Sequence, residues 1–233
     1  MRIGIIQSNY IPWRGYFDFI ASVDLFVFHD DLQYTKGDWR NRNKIKTPKG
    51  LEWLSAPVQY DKVSQLILDT KFDESSRWRK QHLNKFSAAY AKAPYKDDAL
   101  GLLQEALEAD TPTVSRLNIH LIKTICAYLG IGTELAMSSD LGVSGAKTER
   151  VINILQAVGG TTYLSGQNAD VYLEKDRFVD AGIGLEYKSY DYEPYPQLWG
   201  EFEGAVTILD LIANCGTQSK NFIRSKTPDK VII

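Results

Sequence analysis

The N-terminal part of the chain alternates between apolar runs and one amphipathic segment. Residues 2–7 form an apolar run that is typical of a strand buried on both faces. A turn-like stretch with Pro12 leads into an amphipathic segment at residues 15–20, and a second apolar run, rich in β-forming residues, covers 23–28. A strand, a helix and a strand in this order predict a βαβ unit, in which the two strands are parallel.

Further strands alternate with helical patterns along the rest of the chain. Residues 45–58 have the pattern of a hairpin whose turn lies at 47–50, where proline and glycine supply the dihedral angles. Three more short strands are predicted at residues 133–137, 161–164 and 183–190. Helices are predicted at 144–158, where Ser144 is the expected cap, and at 176–181 and 206–213.

A long helical stretch interrupts this alternation at residues 75–129. Its first helix is expected to be capped by Ser75 or Ser76, and Pro94 separates it from a second helix at 100–109. The third helix is expected to start at Thr111-Pro112, because proline is tolerated in the first turn, and to end at Gly130. We therefore predict an α/β fold, one domain over residues 1–233, with a largely parallel Rossmann-like sheet flanked by helices and a helical subdomain near 75–129.

The composition argues against a disordered, a DNA-binding or a disulfide-rich protein. The chain has 233 residues, of which 44% are hydrophobic and 24% charged, with a net charge of −2. This hydrophobic content is ordinary for a folded protein, and the near-neutral charge argues against general binding to DNA. The sequence contains no run of about 18 apolar residues, so it predicts no membrane-spanning helix. The apolar part of the N-terminus is too short to match a signal peptide. Two cysteines form no disulfide framework, so we predict a cytoplasmic protein.

Polar residues collect where the predicted strands end. The exits carry Gln7 and Asn9, then His29, Asp30 and Asp31, then residues 138–140, and finally Ser165, Gly166 and Gln167. In an open parallel sheet these exits share one edge, and ligands bind there. Loops of any α/β protein are polar, but small hydrogen-bonding residues at four exits favour a polar ligand.

The segment 30–44 has the highest concentration of candidate catalytic and binding side chains in the sequence. Two carboxylates precede a run of basic residues with aromatic residues between them, and Lys36, Arg40 and Arg42, with Asn41 beside them, are candidates to bind a phosphate group. Asp30 or Asp31 is a candidate general base or Mg²⁺ ligand, and His29 is the best-placed histidine for acid–base work. The alternative is a solvated charged loop.

The start of the first helix is a second candidate binding region. Gly15 and Tyr16 open the helix, and Asn9, Tyr10 and Trp13 precede it, so a nucleotide or a sugar could stack there. A single glycine is not a dinucleotide-binding fingerprint, and no phosphate-binding loop of the GxxxxGK[ST] type occurs. Trp13 as an ordinary core residue is an equal alternative.

These motifs, taken together, resemble the WbqC-like family, which occurs in bacterial gene clusters for surface polysaccharide and O-antigen. The matching segments run in order over almost the whole chain: residues 7–17, 30–36, 39–45, 78–82, 163–166, 195–197 and 207–216. The resemblance implies a transferase that attaches an aminoacyl or acyl group, glycine in particular, to a sugar of the polysaccharide.

A fainter resemblance is to the adenylylating α/β enzymes that include pantothenate synthetase. It implies an adenylyltransferase-like fold, but Trp13-Arg14-Gly15-Tyr16 lacks both histidines of the HxGH signature, so the histidine-assisted chemistry does not carry over.

We therefore expect a transferase acting on a small molecule, a nucleotide-linked or lipid-linked sugar. Asp30 or Asp31 would deprotonate the acceptor, and Asn9, Tyr10, Gln167 and Gln197 would orient the sugar by hydrogen bonds. Mg²⁺ and a nucleotide are candidate cofactors. The rival hypotheses are an ATP-dependent nucleotidyltransferase or ligase, and a binding protein for a glycan or nucleotide sugar without catalytic activity.

Overall fold

The computed structural model describes residues 1–233 and contains one six-stranded sheet and one separate hairpin. The strands are β1 (Arg2–Ile6), β2 (Leu25–Phe28), β3 (Arg42–Thr47), β4 (Gly50–Ser55), β5 (Glu134–Met137), β6 (Thr162–Ser165), β7 (Gly184–Tyr187) and β8 (Lys230–Val231). The helices are α1 (Arg14–Ile20), α2 (Trp78–Ala89), α3 (Lys96–Glu108), α4 (Val114–Leu129), α5 (Lys147–Ala157), α6 (Lys175–Asp180) and α7 (Ile208–Cys215).

The large sheet has the strand order β5-β2-β1-β6-β7-β8, and every pair except β7–β8 is parallel. The N-terminal βαβ unit is present as predicted, with Ile6 of β1 opposite Phe28 of β2. Helices connect the parallel strands, so the predicted α/β class is confirmed. The short antiparallel strand β8 closes one edge.

Two apolar cores lie on opposite faces of this sheet because strand side chains alternate. Phe26 and Phe28 of β2 belong to a core of 41 buried residues that includes side chains of α1–α4, α7 and the hairpin. Leu25 and Val27 point the other way, into a core of 15 buried residues that includes side chains of α5 and α6. The sheet is therefore the middle of three layers.

Helices α2, α3 and α4 fill the predicted helical region, but the expected helix starts are wrong in detail. Thr113, not Thr111, caps α4 by accepting a hydrogen bond from the Arg116 N–H, and Pro112 lies before the helix. Helix α5 starts at Lys147 without a side-chain cap, so Ser144 is not its cap. Neither Ser75 nor Ser76 caps α2, which begins after Arg77. The last predicted parallel strand ends at Tyr187 rather than at 190.

The hairpin β3–β4 is present as predicted, and it carries part of the candidate site. Its turn is closed by Thr47 opposite Gly50, whose φ of +103° is a conformation that glycine adopts without strain. The backbone N–H of Thr207 donates to the Lys44 carbonyl oxygen at 3.0 Å, which holds the hairpin beside the start of α7.

None of the helices is both long and apolar enough to cross a membrane. One domain over residues 1–233, with a helical subdomain, stays a prediction.

Candidate functional site

The ends of β1, β2, β5 and β6 lie next to each other along one edge of the sheet, because these four strands are neighbours and parallel. The backbone N–H of His29 donates to the Ile6 carbonyl oxygen at 3.0 Å, so the β1 and β2 exits remain paired beyond the strands. The predicted polar residues at these exits nevertheless separate into two groups, one built on carboxylates and the other on amide and aromatic side chains.

The carboxylate group consists of Asp30 and Asp31 with the serines that follow β5. Asp30 is buried, and its Oδ1 accepts a hydrogen bond from the Ser139 N–H at 3.2 Å and lies 3.3 Å from the Ser138 hydroxyl oxygen. Its Oδ2 accepts one from the Ser139 hydroxyl at 2.8 Å. Asp31 accepts hydrogen bonds from the Ser138 hydroxyl and the Arg150 guanidinium.

Arg150 on α5 joins this group and contacts His29. Its Nε–H donates to His29 Nε2 at 3.1 Å, and its Nη1 donates to the Val143 carbonyl oxygen at 2.8 Å. Burial lowers the pKa of His29 to about 4, so the ring is a neutral acceptor at neutral pH. Burial alone raises the pKa of Asp31, but the hydrogen bonds from Ser138 and Arg150 outweigh it and leave this pKa below its ordinary value.

These carboxylates do not fit a magnesium site. The Arg150 guanidinium already supplies the positive charge at Asp31, and the Asp30 oxygens face donors from the β5 exit. No three His, Cys, Asp or Glu side chains come together as a possible metal site. We therefore derive no chemical step through a metal ion.

The three cations of the basic loop contact different neighbours, and phosphate binding by them stays a prediction. Arg40 is buried, contacts the Gln7 amide oxygen and pairs with Asp38 at 3.2 Å, and burial lowers its pKa. Lys36 is exposed, with Nζ 5.8 Å from the Tyr60 ring centre. Arg42 lies over Trp53 instead, with Cζ 4.5 Å from the centre of that ring.

Segments 7–13 and 38–43 run together and form the second group. The Tyr10 N–H donates to the Trp39 carbonyl oxygen at 2.9 Å, and the Asn43 amide donates to the carbonyl oxygens of Tyr10 and Ile11 at 3.2 and 2.9 Å. Ile11 has a φ of +38°, which is unusual for a β-branched residue. The amide of Asn43 therefore stabilises a sharp turn directly after β1.

A cleft of about 260 Å³ opens between these segments, and we call it the amide–aromatic cleft. Its lining consists of two amides, two indoles and two small side chains: Asn9, Pro12, Trp13, Trp39, Asn43 and Ala205. Trp13 packs against Tyr190 with ring centres 5.3 Å apart, and Trp39 packs against Trp53 with ring centres 5.5 Å apart. A larger depression, about 440 Å³, lies on the loop 59–71, but it is lined by loop side chains without an aromatic ring.

Several buried polar side-chain atoms have no hydrogen-bond partner, and one of them belongs to a residue of the cleft lining. Of the ten such side-chain atoms in the protein, eight belong to residues of the β1 exit, the loop 34–42 and α4: Ser8, Asn9, Tyr34, Arg40, Asn41, Arg42, Asn118 and His120. Buried polar groups are normally hydrogen-bonded, and a cluster of exceptions needs an explanation such as a ligand or water. Asn9 Oδ1 is the member of this set whose residue also lines the cleft.

Other predicted site residues lie away from the cleft or support it from behind. Tyr10 is buried, and a hydrogen bond joins its hydroxyl to His82 Nδ1 at 2.8 Å. The Tyr16 hydroxyl donates to the Gln7 carbonyl oxygen at 3.0 Å, so both position the β1 exit. Gly15 permits close packing, because a Cβ there would lie 2.3 Å from the Trp13 ring. The Asn41 amide donates to the Ala56 carbonyl oxygen.

The remaining predicted binders are not in the cleft. The Ser165 hydroxyl donates to the Tyr163 hydroxyl oxygen at 3.3 Å, Gly166 is half-buried, and Gln167 is exposed at the β6 exit. The Gln197 amide donates to the buried Asp210 carboxylate at 2.7 Å, within a network that holds α7. Sequence reasoning missed Trp53, Ala205 and Arg150, which reach the site from distant segments.

Comparisons with known proteins identify the family of the chain. The model of the WbqC-like protein family matches residues 7–222, which include both groups of the candidate site. A protein of Mycobacterium tuberculosis, named Uncharacterized protein Rv1507c, is 43% identical over 229 residues, covering 96% of this chain and 97% of its own. No solved structure matches the chain. A family model over nearly the whole chain, together with this relative, shows that the chain belongs to the WbqC-like protein family.

Proposed function

We propose that the protein is a transferase of bacterial surface-polysaccharide biosynthesis that attaches an acyl or aminoacyl group, such as glycine, to a sugar. Membership of the WbqC-like family suggests a role associated with polysaccharides. The transfer reaction is our proposal, and the sugar would bind in the amide–aromatic cleft.

The observation that carries this proposal is the chemistry of the cleft lining. Indole rings such as those of Trp13 and Trp39 offer flat apolar faces for the C–H surfaces of a sugar ring. The Asn9 amide offers donors and an acceptor for hydroxyl groups, and its Oδ1 is buried without a donor. Both N–H groups of the Asn43 amide already donate to backbone carbonyl oxygens, so Asn43 shapes the cleft and offers no donor to the sugar. A small, concave site with aromatic walls and a few fixed polar groups is the usual form of a small-molecule site.

Asp30 is the proposed general base, although it does not line the cleft; it lies at the β2 exit beside the β1 exit, so the acceptor sugar would extend from the cleft to this neighbouring strand end. Two hydrogen bonds from Ser139 fix its carboxylate, one from the N–H to Oδ1 and one from the hydroxyl to Oδ2. A carboxylate oxygen accepts about two hydrogen bonds, so Oδ2 keeps one acceptor site for the hydroxyl or amine of the acceptor sugar. Asp31 would act as a positioning residue, because its pairing with Arg150 fixes α5 at the β2 exit.

The second candidate function is a binding protein for a glycan or nucleotide sugar. The observation that favours it is that Arg150 donates hydrogen bonds to both His29 and Asp31. Asp30 is then the only one of the three predicted catalytic side chains without a contact to Arg150, and a binding protein needs no catalytic group. A binding protein needs the cleft but not Asp30, so the two functions predict different results for a change at that carboxylate.

The test is mass spectrometry of the surface polysaccharide from a strain that lacks the gene. We expect the deletion to remove an acyl substituent, and Asn9→Ala or Trp13→Ala to fail to restore it. Asp30→Asn should also fail while the protein stays folded, since the Ser139 hydroxyl can rotate to accept from the new amide.

The exposed Asn168 provides the matched control, so Asn168→Ala should restore the substituent fully. Full restoration by Asp30→Asn, with failure of Asn9→Ala, would favour the binding protein. An unchanged polysaccharide in the deletion strain would reject both functions.

A further inference from the structure

We propose that the exposed surface beside the cleft binds a nucleoside diphosphate, so that the sugar enters as a nucleotide-linked substrate. The surface consists of Trp39, Trp53, Arg42 and Lys44, and we call it the tryptophan platform. The inference rests on the proposed function, because it assigns the part of the substrate that lies outside the cleft.

Two exposed indoles form the apolar part of the platform. Trp39 is 41% exposed and Trp53 is 39% exposed, and their ring centres lie 5.5 Å apart with the planes tilted by 41°. Large aromatic side chains are normally buried, so two neighbouring exposed indoles point to a binding surface. Aromatic side chains of this kind stack on nucleic-acid bases, because every base has a flat π-face.

Two cations without a carboxylate partner form the charged part. Arg42 Cζ lies 4.5 Å and Lys44 Nζ lies 5.2 Å from the Trp53 ring centre, and neither cation is within 4.0 Å of a carboxylate. The two nearby acidic residues are already engaged, since Asp38 pairs with Arg40 at 3.2 Å and Glu52 pairs with Lys85 at 2.9 Å. Arg42 Nε is also buried without a hydrogen-bond partner.

The strand geometry places these cations at a useful spacing. Arg42 and Lys44 are alternate residues of β3, so they project from the same face about 7 Å apart. Two cations at this separation can contact a diphosphate from both sides, and a guanidinium matches phosphate oxygens with paired donors. A surface that combines two cations for a diphosphate with indole rings for a planar ring matches both parts of a nucleoside diphosphate.

Trp39 connects the platform to the cleft, because it lines the cleft and also packs on Trp53. One continuous ligand can therefore place its sugar between Trp13 and Trp39, its diphosphate at Arg42 and Lys44, and its base on the indole pair. A lipid-linked diphosphate shares the charged group but lacks the planar ring, so it serves as the competing source in the test.

The experiment is isothermal titration of the full-length protein with UDP, GDP, ADP, CDP and dTDP. Each is compared with its nucleoside, with inorganic pyrophosphate and with geranyl diphosphate. We expect at least one nucleoside diphosphate to bind about tenfold more tightly than its nucleoside, pyrophosphate and geranyl diphosphate, because both the base and the charged group contribute. Tighter binding of geranyl diphosphate, or no saturation by any nucleotide at millimolar concentration, would overturn the proposal.

Variants then locate the binding site. Arg42→Gln, Lys44→Gln and Trp53→Leu should each weaken nucleotide binding about tenfold, with thermal unfolding confirming that each variant is folded. Lys49→Gln removes a charge from the exposed tip of the same hairpin and should bind as the wild type does. Equal binding by Lys44→Gln, Trp53→Leu and the wild type would reject the platform.

The two proposals fail separately. If Asn9→Ala abolishes polysaccharide modification while Lys44→Gln and Trp53→Leu restore it fully, the transferase stands and the nucleotide site falls. If the platform variants lose nucleotide binding but Asn9→Ala restores the modification, the nucleotide site stands and the assignment of the cleft falls.

Discussion

Two buried histidines make the stability of the fold depend on pH. Burial lowers the pKa of both His29 and His82 to about 4, from 6.5 for an exposed ring. Between these pH values the unfolded chain binds more protons than the folded one, so stability falls as the pH falls through this window. We expect each histidine to remove about 2 kcal/mol from the free energy of unfolding between pH 7 and pH 5, measured by urea titration.

His82→Gln should reduce this pH dependence, because one of the two titrating groups is gone while the glutamine can still bond the Tyr10 hydroxyl. The exposed, non-titrating Asn168 is the control, and Asn168→Ala should keep the slope of the wild type. A free energy of unfolding that is equal at pH 7 and pH 5 would contradict the prediction. The same burial explains why a histidine next to Asp30, which looks like an acid–base group in the sequence, is a neutral acceptor in the fold.

At the scale of elements, the start of α1 shapes one wall of the cleft. A Cβ at Gly15 would lie 2.3 Å from Cζ2 of Trp13, and a fused indole cannot give way without leaving its place. Gly15→Ala should therefore destabilise the protein by about 1–3 kcal/mol, although alanine is the better helix former by about 1 kcal/mol. Thermal unfolding measures the loss, and sugar affinity should fall with it.

A double-mutant cycle separates these two effects. With Trp13→Ala in place the clash is absent, so adding Gly15→Ala should be neutral or stabilising by up to about 1 kcal/mol. If Gly15→Ala costs as much in the Trp13→Ala background as in the wild type, the close approach is not the reason for glycine at this position.

The strands and helices differ in how well the sequence predicts them. The strands β1 and β2 were predictable because burial on both faces leaves a continuous apolar run, whereas the hairpin, which is partly exposed, was located by its Pro-Gly turn. The two-residue strand β8 has no pattern of its own and exists only by pairing with β7. The start of α4 was misplaced because Thr111 and Thr113 are both suitable caps, and only the bond from the Arg116 N–H distinguishes them.

The candidate site was predictable only in part, for the same physical reason. Asn9 and Trp13 were found because they directly follow β1, where a parallel sheet exposes its ligand edge. Trp53 and Arg150 reach the site through packing of the hairpin and of α5, and no local pattern records such contacts. The spacing of Lys36, Arg40 and Arg42 suggested one phosphate site, yet the loop turns each cation towards a different neighbour.

At the scale of the whole molecule, a buried ion network ties the C-terminal segment to the sheet and to the cleft. Lys188 follows β7, and its Nζ lies 2.9 Å from Asp18 of α1 and 3.0 Å from Asp229 before β8. Asp229 also pairs with Arg2 of β1 at 2.8 Å. The Tyr192 hydroxyl donates to Asp18 at 2.9 Å, and the Tyr192 ring packs on Trp13 of the cleft.

Lys188→Met tests whether this network holds the molecule together. The substitution keeps the length of the side chain but removes the buried cation of Asp18, which then has only the exposed Arg224 guanidinium at 3.8 Å. Breaking a buried ion pair in this way should cost up to about 3–5 kcal/mol. We expect a lower melting temperature, faster proteolysis of residues 222–229 and weaker sugar binding, because Tyr192 supports Trp13 through Asp18. Lys226→Met, which removes an exposed ion pair with Glu193, should leave all three measurements unchanged. Normal proteolysis of this segment in Lys188→Met, with an unchanged melting temperature, would show that the C-terminal segment is held by β8 and not by the ion network.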